Sequence, residues 1–236
     1  MEKRYDTVLF DADGTLLDFA RSEREALVES LEAFGISADQ AMVAAYSKIN
    51  DGLWKALERG EIEKERLKIH RFELLFESYG IETDAKIAAY AYMQALSERG
   101  YALPGAFEMC ERLCGKIRMY IVTNGVGFIQ RERQKRSGLA PLFDGCFISE
   151  ELGYEKPDVR YFEAVASSID GFSKEKTLIV GDSLTSDIRG GISFGIDTCW
   201  YNPKGLPIPE DMAGKITYVA ESFEAIEALI LGGEYR

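Results

Sequence analysis

Residues 5–15 read YDTVLFDADGT, an apolar run that changes abruptly into a polar one. The first six residues favour a short buried β-strand, and the polar residues that follow contain a turn glycine. In a parallel α/β sheet, ligands bind beyond the carboxyl ends of the strands, so Asp11 and Asp13 would lie at a ligand-binding edge. The alternative is that both aspartates serve as turn and helix-capping residues, as Asp often does near Gly.

The length and charge of the chain limit the classes of protein it can be. Its 236 residues suffice for one large α/β domain or for a domain with a sizeable insertion. With 28 Lys and Arg against 40 Asp and Glu, the formal net charge is −12. Proteins that bind polymeric nucleic acid need clustered basic side chains, so this balance argues against that class. The negative net charge remains compatible with a small anionic ligand if a local cation holds that ligand.

The cysteines and the single histidine narrow the chemistry. Four cysteines occur, at positions 110, 114, 146 and 199, in a spacing that fits neither a secreted disulfide scaffold nor the usual zinc sites. Reduced, packed thiols are the favoured interpretation. His70 lies in a charged amphipathic stretch and is interpreted as a surface or packing residue, so acid–base work should fall to carboxylates.

The amino-terminal residues lead directly into the first predicted strand. No apolar signal region precedes that strand and no run of membrane-spanning length follows it. The sequence therefore predicts a cytoplasmic protein that does not associate with membranes.

A long helical stretch follows the first strand. Between about residues 21 and 99 the sequence shows helical periodicity and no convincing strand. Helices are predicted at 20–34, 39–59, 63–79 and 84–99, with glycines at positions suited to carboxyl caps. We interpret residues 19–102 as a helical domain inserted into an α/β core made of residues 1–18 and 103–236.

Strands and helices alternate in the rest of the chain. Strands are predicted at 118–122, 146–148, 177–180, 196–200 and 216–219, with helices at 105–115, 126–137, 158–169 and 222–231. This alternation is typical of a Rossmann-like α/β fold, a mostly parallel sheet with helices on both faces.

Polar side chains follow three of the strands, and a lysine lies in a loop able to reach them. In addition to Asp11 and Asp13, the strand-end residues are Thr123, Asn124, Asp182 and Asp187, and the lysine is Lys156. Each could be an ordinary turn, cap or solvated residue when taken singly. Two carboxylates about 4 Å apart repel each other by roughly 4 kcal/mol at an effective dielectric constant near 20. A cluster of these aspartates would therefore require a divalent cation, and oxygen-only ligands suit Mg²⁺.

A phosphoryl group fits the same setting. Mg²⁺ and Lys156 would neutralise phosphate oxygens, while Thr123 and the backbone amides around Asn124 and Gly125 would donate hydrogen bonds to them. A carboxylate could then attack phosphorus and form an aspartyl-phosphate.

Four short motifs, in this order, resemble those of the haloacid dehalogenase-like hydrolases. They are DADGT at 11–15, TNG at 123–125, KP at 156–157 and GDSLTSD at 181–187. That family places a helical cap between its first two motifs, where the predicted insertion lies. The resemblance thus extends over the whole predicted core.

The resemblance implies a role for each motif residue. Asp11 is the nucleophile, and Asp13 is the general acid that protonates the leaving oxygen and then the base that activates water. Thr123 binds the transferring phosphoryl group, and Lys156 orients Asp11. The metal would be held by Asp11, by the backbone carbonyl of Asp13, by Asp182, and by Asp187 directly or through water. Family members that displace halide lack the second aspartate, so the resemblance favours a phosphatase over a dehalogenase.

Substrate choice is expected to depend on the inserted helices. Residues 49–62, 71–72 and 198–203 resemble segments of the branch that contains bacterial pyrimidine 5′-nucleotidases, which implies a small phosphorylated metabolite, a nucleoside monophosphate, as substrate. Trp54 could stack on a base or be buried between helices. Arg71 could contact the nucleotide or pair with Glu73 or Glu77. A phosphosugar or phosphoglycolate phosphatase is the alternative, followed by a phosphomutase or a non-catalytic binding protein; a monomer or a dimer is expected.

Overall fold

The computed structural model describes residues 4–233. Residues 1–3, on which the expectation about the amino terminus partly rests, lie outside them. The chain forms two compact units, one built from the residues up to Asp18 and from Ala102 onward, the other from Phe19–Tyr101. Between residues 4 and 233, no helix combines the length and the apolar character needed to cross a bilayer.

A parallel sheet of six strands forms the centre of the first unit. Its strands are β1 (Thr7–Phe10), β2 (Arg118–Thr123), β3 (Gly145–Ile148), β4 (Thr177–Gly181), β5 (Asp197–Tyr201) and β6 (Tyr218–Ala220). They lie in the order β3-β2-β1-β4-β5-β6, and every neighbouring pair is parallel. The prediction of a Rossmann-like parallel sheet is thereby confirmed. The strand order reverses at β1, because the chain fills one side of β1 before it crosses to β4 on the other.

Both faces of this sheet are covered by helices, which explains why β1 is buried at every position. Val8 and Phe10 belong to the apolar cluster on one face, to which α5 (Ala106–Leu113) and α10 (Phe223–Ile230) contribute. Leu9 belongs to the cluster on the other face, with residues of α8 (Val159–Ser167) and α9 (Arg189–Phe194). Two further helices, α6 (Gly127–Arg136) and the short α7 (Ser149–Leu152), follow β2 and β3.

The second unit is helical throughout its regular structure, as predicted. Its helices are α1 (Phe19–Glu32), α2 (Gln40–Glu58), α3 (Lys64–Tyr79) and α4 (Ala85–Ser97). Three buried rings from α2, α3 and α4 form its aromatic centre: Tyr46 lies 5.2 Å from Phe72 and 5.3 Å from Tyr92 between ring centroids.

The structure shows the surroundings of the two residues considered for substrate contact. Arg71 is buried; it donates to Asn50 Oδ1 at 3.1 Å, and its guanidinium lies 4.6 Å from the centroid of the Tyr92 ring. The alternative that paired Arg71 with Glu73 is wrong, because Glu73 binds Arg66 and His70 instead. Trp54 is half-buried, and Lys64 Nζ lies 5.9 Å from the centroid of its ring.

Candidate active site

Asp11 lies where the strand order reverses. It follows β1 directly, and its backbone N–H donates to the carbonyl of Val180 in β4 at 2.9 Å. The extra bond extends the β1–β4 ladder by one residue beyond the pair Phe10 and Val180. The carboxylate of Asp11 is therefore held at the carboxyl edge of the two central strands, where ligands bind in folds of this kind.

Lys156 joins two of the predicted carboxylates. Its ammonium donates to Asp11 Oδ1 at 2.6 Å, to Asp187 Oδ1 at 2.7 Å and to the Val122 carbonyl at 2.7 Å. Lys156 is 1 % exposed. Burial alone would lower the pKa of Lys156, but the charges of Asp11 and Asp187 outweigh it and hold that pKa above its ordinary value. The lysine thus stays charged between two buried carboxylates.

Asn124 places the lysine. Its side-chain amide donates to the carbonyl of Lys156 at 2.8 Å, and its Oδ1 accepts from the Lys156 backbone N–H at 2.9 Å. This pair of bonds ties the loop that carries Lys156 to the end of β2. The side chain of Asn124 therefore holds the Lys156 loop in place. That the backbone amide of Asn124 binds phosphate stays a prediction.

Thr123 is the last residue of β2, two positions beyond the partner of Phe10 in the ladder. Its hydroxyl oxygen accepts from the Gly125 N–H at 3.0 Å. The Gly125 amide, expected to bind phosphate, is thus engaged by Thr123 in this structure. Thr123 is buried, on the strand that neighbours the one preceding Asp11.

Three carboxylates form the group best suited to hold a cation. One oxygen each from Asp11, Asp182 and Asp187 lies within 4.8 Å of the others. Asp187 sits in a π-helical turn, Leu184–Ile188, and its Oδ2 accepts from the Ser183 N–H at 3.1 Å. A Cβ on Gly181 would overlap the Asp187 carboxylate, so a glycine at the end of β4 is required for this approach.

Asp182 is held by two side chains to which the sequence analysis gave no role of their own. The Thr15 hydroxyl accepts from the Asp182 N–H at 3.0 Å and lies 3.3 Å from Asp182 Oδ1. The indole N–H of Trp200 donates to the Asp182 carbonyl at 2.9 Å. The loop after β4 is thereby fixed from β5 on one side and from the turn after β1 on the other.

The electrostatics of the cluster fit a bound cation. Burial, together with the charges of Asp187 and Asp182, raises the pKa of Asp11 against the opposing effect of Lys156. Although Asp182 keeps contact with solvent, loss of hydration and the charge of Asp187 raise its pKa as well. Three carboxylates face one lysine, so negative charge is in excess. A hard divalent ion with oxygen ligands, such as Mg²⁺, would compensate this excess.

Asp13 points to a different set of partners. Gln130 Nε2 donates to Asp13 Oδ2 at 2.5 Å, and Arg133 Nη1 donates to Asp13 Oδ1. Both donors come from α6, which begins after the TNG segment. The two carboxylates of the DADGT segment therefore diverge, Asp11 toward Lys156 and Asp13 toward α6.

The structure thus brings the predicted residues of all four motifs to one edge of the sheet. Residues missed by the sequence interpretation are Thr15, Gln130, Arg133 and Trp200. A signal for two of them existed: in α6, Gln130 and Arg133 share a face with the buried Ile129, although the helix is otherwise strongly polar.

Comparison with known proteins agrees with this arrangement. The family model described as haloacid dehalogenase-like hydrolase matches residues 5–195. A HAD-hydrolase named YfnB, from Bacillus subtilis (strain 168), is 44% identical over 209 residues, covering 88% of this chain and 89% of that protein. Its magnesium-bound crystal structure has a TM-score of 0.91 at 40% identity and covers 97% of this chain and 99% of that one.

Two similar proteins carry an activity in their names. The pyrimidine 5′-nucleotidase PynA of Streptococcus pneumoniae (strain ATCC BAA-255 / R6) is 44% identical over 203 residues, 86% of each chain. The pyrimidine 5′-nucleotidase YjjG of Escherichia coli (strain K12) is 31% identical over 227 residues, 96% of this chain and 98% of that one. The residues matched by the family model include all four strand-end motifs, and these relatives match most of the sequence. The chain therefore belongs to the haloacid dehalogenase-like hydrolases.

Proposed function

We propose that this protein is a Mg²⁺-dependent phosphatase that hydrolyses nucleoside 5′-monophosphates, with pyrimidine nucleotides preferred, through a phosphoryl group carried on Asp11. The observation that carries the proposal is the contact of Lys156 Nζ with both Asp11 and Asp187, beside Asp182. This contact brings together a nucleophile, a cationic side chain and a group of carboxylates able to hold a metal, all at one edge of the sheet. The names of PynA and YjjG support the substrate class.

In the proposed mechanism, Asp11 attacks phosphorus and the bond from phosphorus to the leaving oxygen breaks. Asp13 gives its proton to that oxygen, and then takes a proton from the water that releases phosphate from Asp11. Lys156 favours the ionised form of Asp11 and orients it, and the Thr123 hydroxyl donates a hydrogen bond to a phosphoryl oxygen. Asp11, Asp182, Asp187 and the Asp13 carbonyl would hold Mg²⁺, which would supply charge neutralisation at the phosphoryl group.

A substrate panel tests the proposal. The purified protein is assayed with Mg²⁺ on pyrimidine and purine nucleoside 5′-monophosphates, hexose phosphates and phosphoglycolate, and phosphate release is measured. We expect the highest kcat/KM with pyrimidine nucleotides. Equal or higher values with sugar phosphates or phosphoglycolate would remove the nucleotidase assignment while leaving a phosphatase, and release from no ester would remove both.

Removal of the metal is expected to stop the reaction. Dialysis against EDTA should lower kcat by about 10²-fold or more, since a metal at a transferring phosphoryl group supplies several kcal/mol. Added Mg²⁺ should restore the rate. Full activity in excess EDTA would contradict the metal assignment.

Replacement of Gly14 should weaken metal binding. Gly14 has φ of +86°, and a Cβ there would lie 2.5 Å from Asp182 Oδ2. We expect Gly14→Ala to displace the Asp182 carboxylate and to reduce the rise in melting temperature that Mg²⁺ produces in the wild type.

Gly80→Ala is the matched control. Gly80 has φ of +63°, and nothing lies within 4 Å of a Cβ added there. The alanine substitution at this position therefore imposes the left-handed backbone strain without a clash. It should lower the melting temperature but keep the full Mg²⁺-dependent rise. An equal loss of that rise in both variants would show that Gly14 has no specific connection with the metal.

A further inference from the structure

The backbone between Asp11 and Leu17 fixes the direction in which Asp13 points. The N–H groups of Leu16 and Leu17 both donate to the Ala12 carbonyl, at 2.9 and 2.8 Å, and the Gly14 N–H donates to the Leu17 carbonyl at 2.9 Å. This closed turn directs Asp13 toward α6. Its side chain is 26% exposed, so part of the carboxylate region still faces solvent.

Two buried donors hold the Asp13 carboxylate, one on each oxygen. Gln130, 1 % exposed, binds Oδ2 and Arg133, 0 % exposed, binds Oδ1. A carboxylate has about four lone-pair directions, so one bond to each oxygen fixes the plane of the group and leaves directions open for a reacting atom. The two donors are one helical turn apart on α6 and act on the carboxylate from its buried side.

The position of α6 is itself fixed at its first residue. The Gly127 N–H donates to Glu150 Oε2 at 2.8 Å, which satisfies one of the free amides of the first helical turn. Enclosing an arginine is unfavourable because the guanidinium loses its hydration, and a close carboxylate offsets that cost. Asp13, the residue to which the proposed function assigns proton transfer, is such a carboxylate beside Arg133.

We propose that Arg133 and Gln130 are positioning residues that orient the Asp13 carboxyl group for proton transfer to the leaving oxygen. This inference rests on the proposed function. In the first step the bond from Asp11 to phosphorus forms, the bond from phosphorus to the leaving oxygen breaks, and the Asp13 proton passes to that oxygen. An Asp13 free to rotate about its side-chain torsions would spend little time in the orientation that this transfer needs.

The dependence of the rate on the leaving group tests the role. p-Nitrophenolate departs readily as an anion, whereas the leaving group of phenyl phosphate needs the proton, and kcat/KM reports the transfer to Asp11. For Arg133→Lys and for Gln130→Met, we expect kcat/KM on phenyl phosphate to fall by about 10²-fold and on p-nitrophenyl phosphate by less than about 3-fold. Arg133→Lys keeps the charge but loses the planar donor group.

Three further proteins make the outcomes separable. Asp13→Asn gives the ratio of kcat/KM on the two esters that is expected when the proton donor is lost completely. Arg131→Lys makes the same substitution as Arg133→Lys at an exposed arginine of α6, which pairs with Glu151. Wild type that releases phosphate from neither aryl ester and from no pyrimidine nucleoside monophosphate would overturn the proposed function. If Asp13→Asn shifts the ratio but Gln130→Met and Arg133→Lys lower both substrates equally or leave both unchanged, the positioning role is overturned. If Arg133→Lys does not fold, Gln130→Met decides.

Discussion

Asp11→Asn should abolish turnover while the protein keeps its fold. The change is isosteric, retains the backbone bond from residue 11 to Val180, and removes the charge and nucleophilicity of the carboxylate. Loss of a covalent nucleophile in other hydrolases lowers kcat by about 10⁴-fold or more, and we expect a loss of that size on a nucleoside monophosphate. The measurement is phosphate release at saturating substrate, with the melting temperature as a check on folding.

Asp6→Asn provides the matched control. Asp6 lies immediately before β1, five residues from Asp11 and exposed, so it tests the same chemical change at the opposite end of the strand. Its kcat should equal that of the wild type within about twofold. A folded Asp11→Asn variant with a rate near that of wild type would assign the nucleophile to another residue.

Lys156→Met should lose both activity and stability. The substitution removes the ammonium from between Asp11 and Asp187, which remain buried without it. Removing one partner from a buried ion pair costs about 3–5 kcal/mol, and we expect a decrease of that size in the free energy of unfolding at neutral pH. Urea denaturation in EDTA measures it without compensation by a metal.

The pH dependence of this loss has a defined sign. Burial raises the pKa of Asp11 in the folded protein, and removal of the Lys156 charge raises it further. A carboxyl group whose folded pKa exceeds its unfolded value binds more protons when folded, so it destabilises the fold increasingly as the pH rises from about 4 through the folded pKa. The stability difference between Lys156→Met and wild type should therefore shrink as the pH falls.

Lys174→Met is the control for Lys156→Met. It makes the same substitution at a lysine that lies outside the carboxylate cluster. Lys174 Nζ donates to the Phe194 carbonyl at 2.6 Å and lies 3.9 Å from the Phe194 ring centroid. Its replacement should lower the free energy of unfolding by about 1 kcal/mol. The difference from wild type should not depend on pH. A loss for Lys156→Met that is no larger, or that does not depend on pH, would contradict the account of the buried cluster.

The sheet and the helical insertion could be predicted because their signals are local. The buried run before Asp11 is apolar at every position, and the helix predicted at 63–79 forms at Lys64–Tyr79 because periodicity and the glycine at 80 both mark its extent. The grouping of Asp11, Lys156 and Asp182 could also be predicted, since parallel strands end at one edge. This prediction required only the order of the strands and of the polar residues along the chain.

Ile129 marks the inward face of α6, but the supporting contacts themselves could not be predicted, because they depend on which site residues that face meets. The sequence of α6, GFIQRERQKR, has the composition of a solvated surface helix, yet Arg133 is fully buried. The bond from Trp200 to Asp182 depends on the register between β4 and β5, in which Gly181 pairs with Trp200. The pairing of Arg71 with Glu73 was wrong for the same reason, because the contact with the Tyr92 ring depends on how α3 packs against α4.

Chemical trapping of the phosphorylated residue tests the central claim most directly. In Asp13→Asn, p-nitrophenyl phosphate should still phosphorylate Asp11 because its leaving group needs no proton, whereas release of the phosphoryl group should be slow, so the aspartyl-phosphate should accumulate in the presence of Mg²⁺. Borohydride reduces an acyl phosphate to the alcohol, and peptide mass spectrometry should then find homoserine at position 11, and no such product without substrate. Reduction at another carboxylate, or none in a variant that still turns over, would contradict transfer to Asp11.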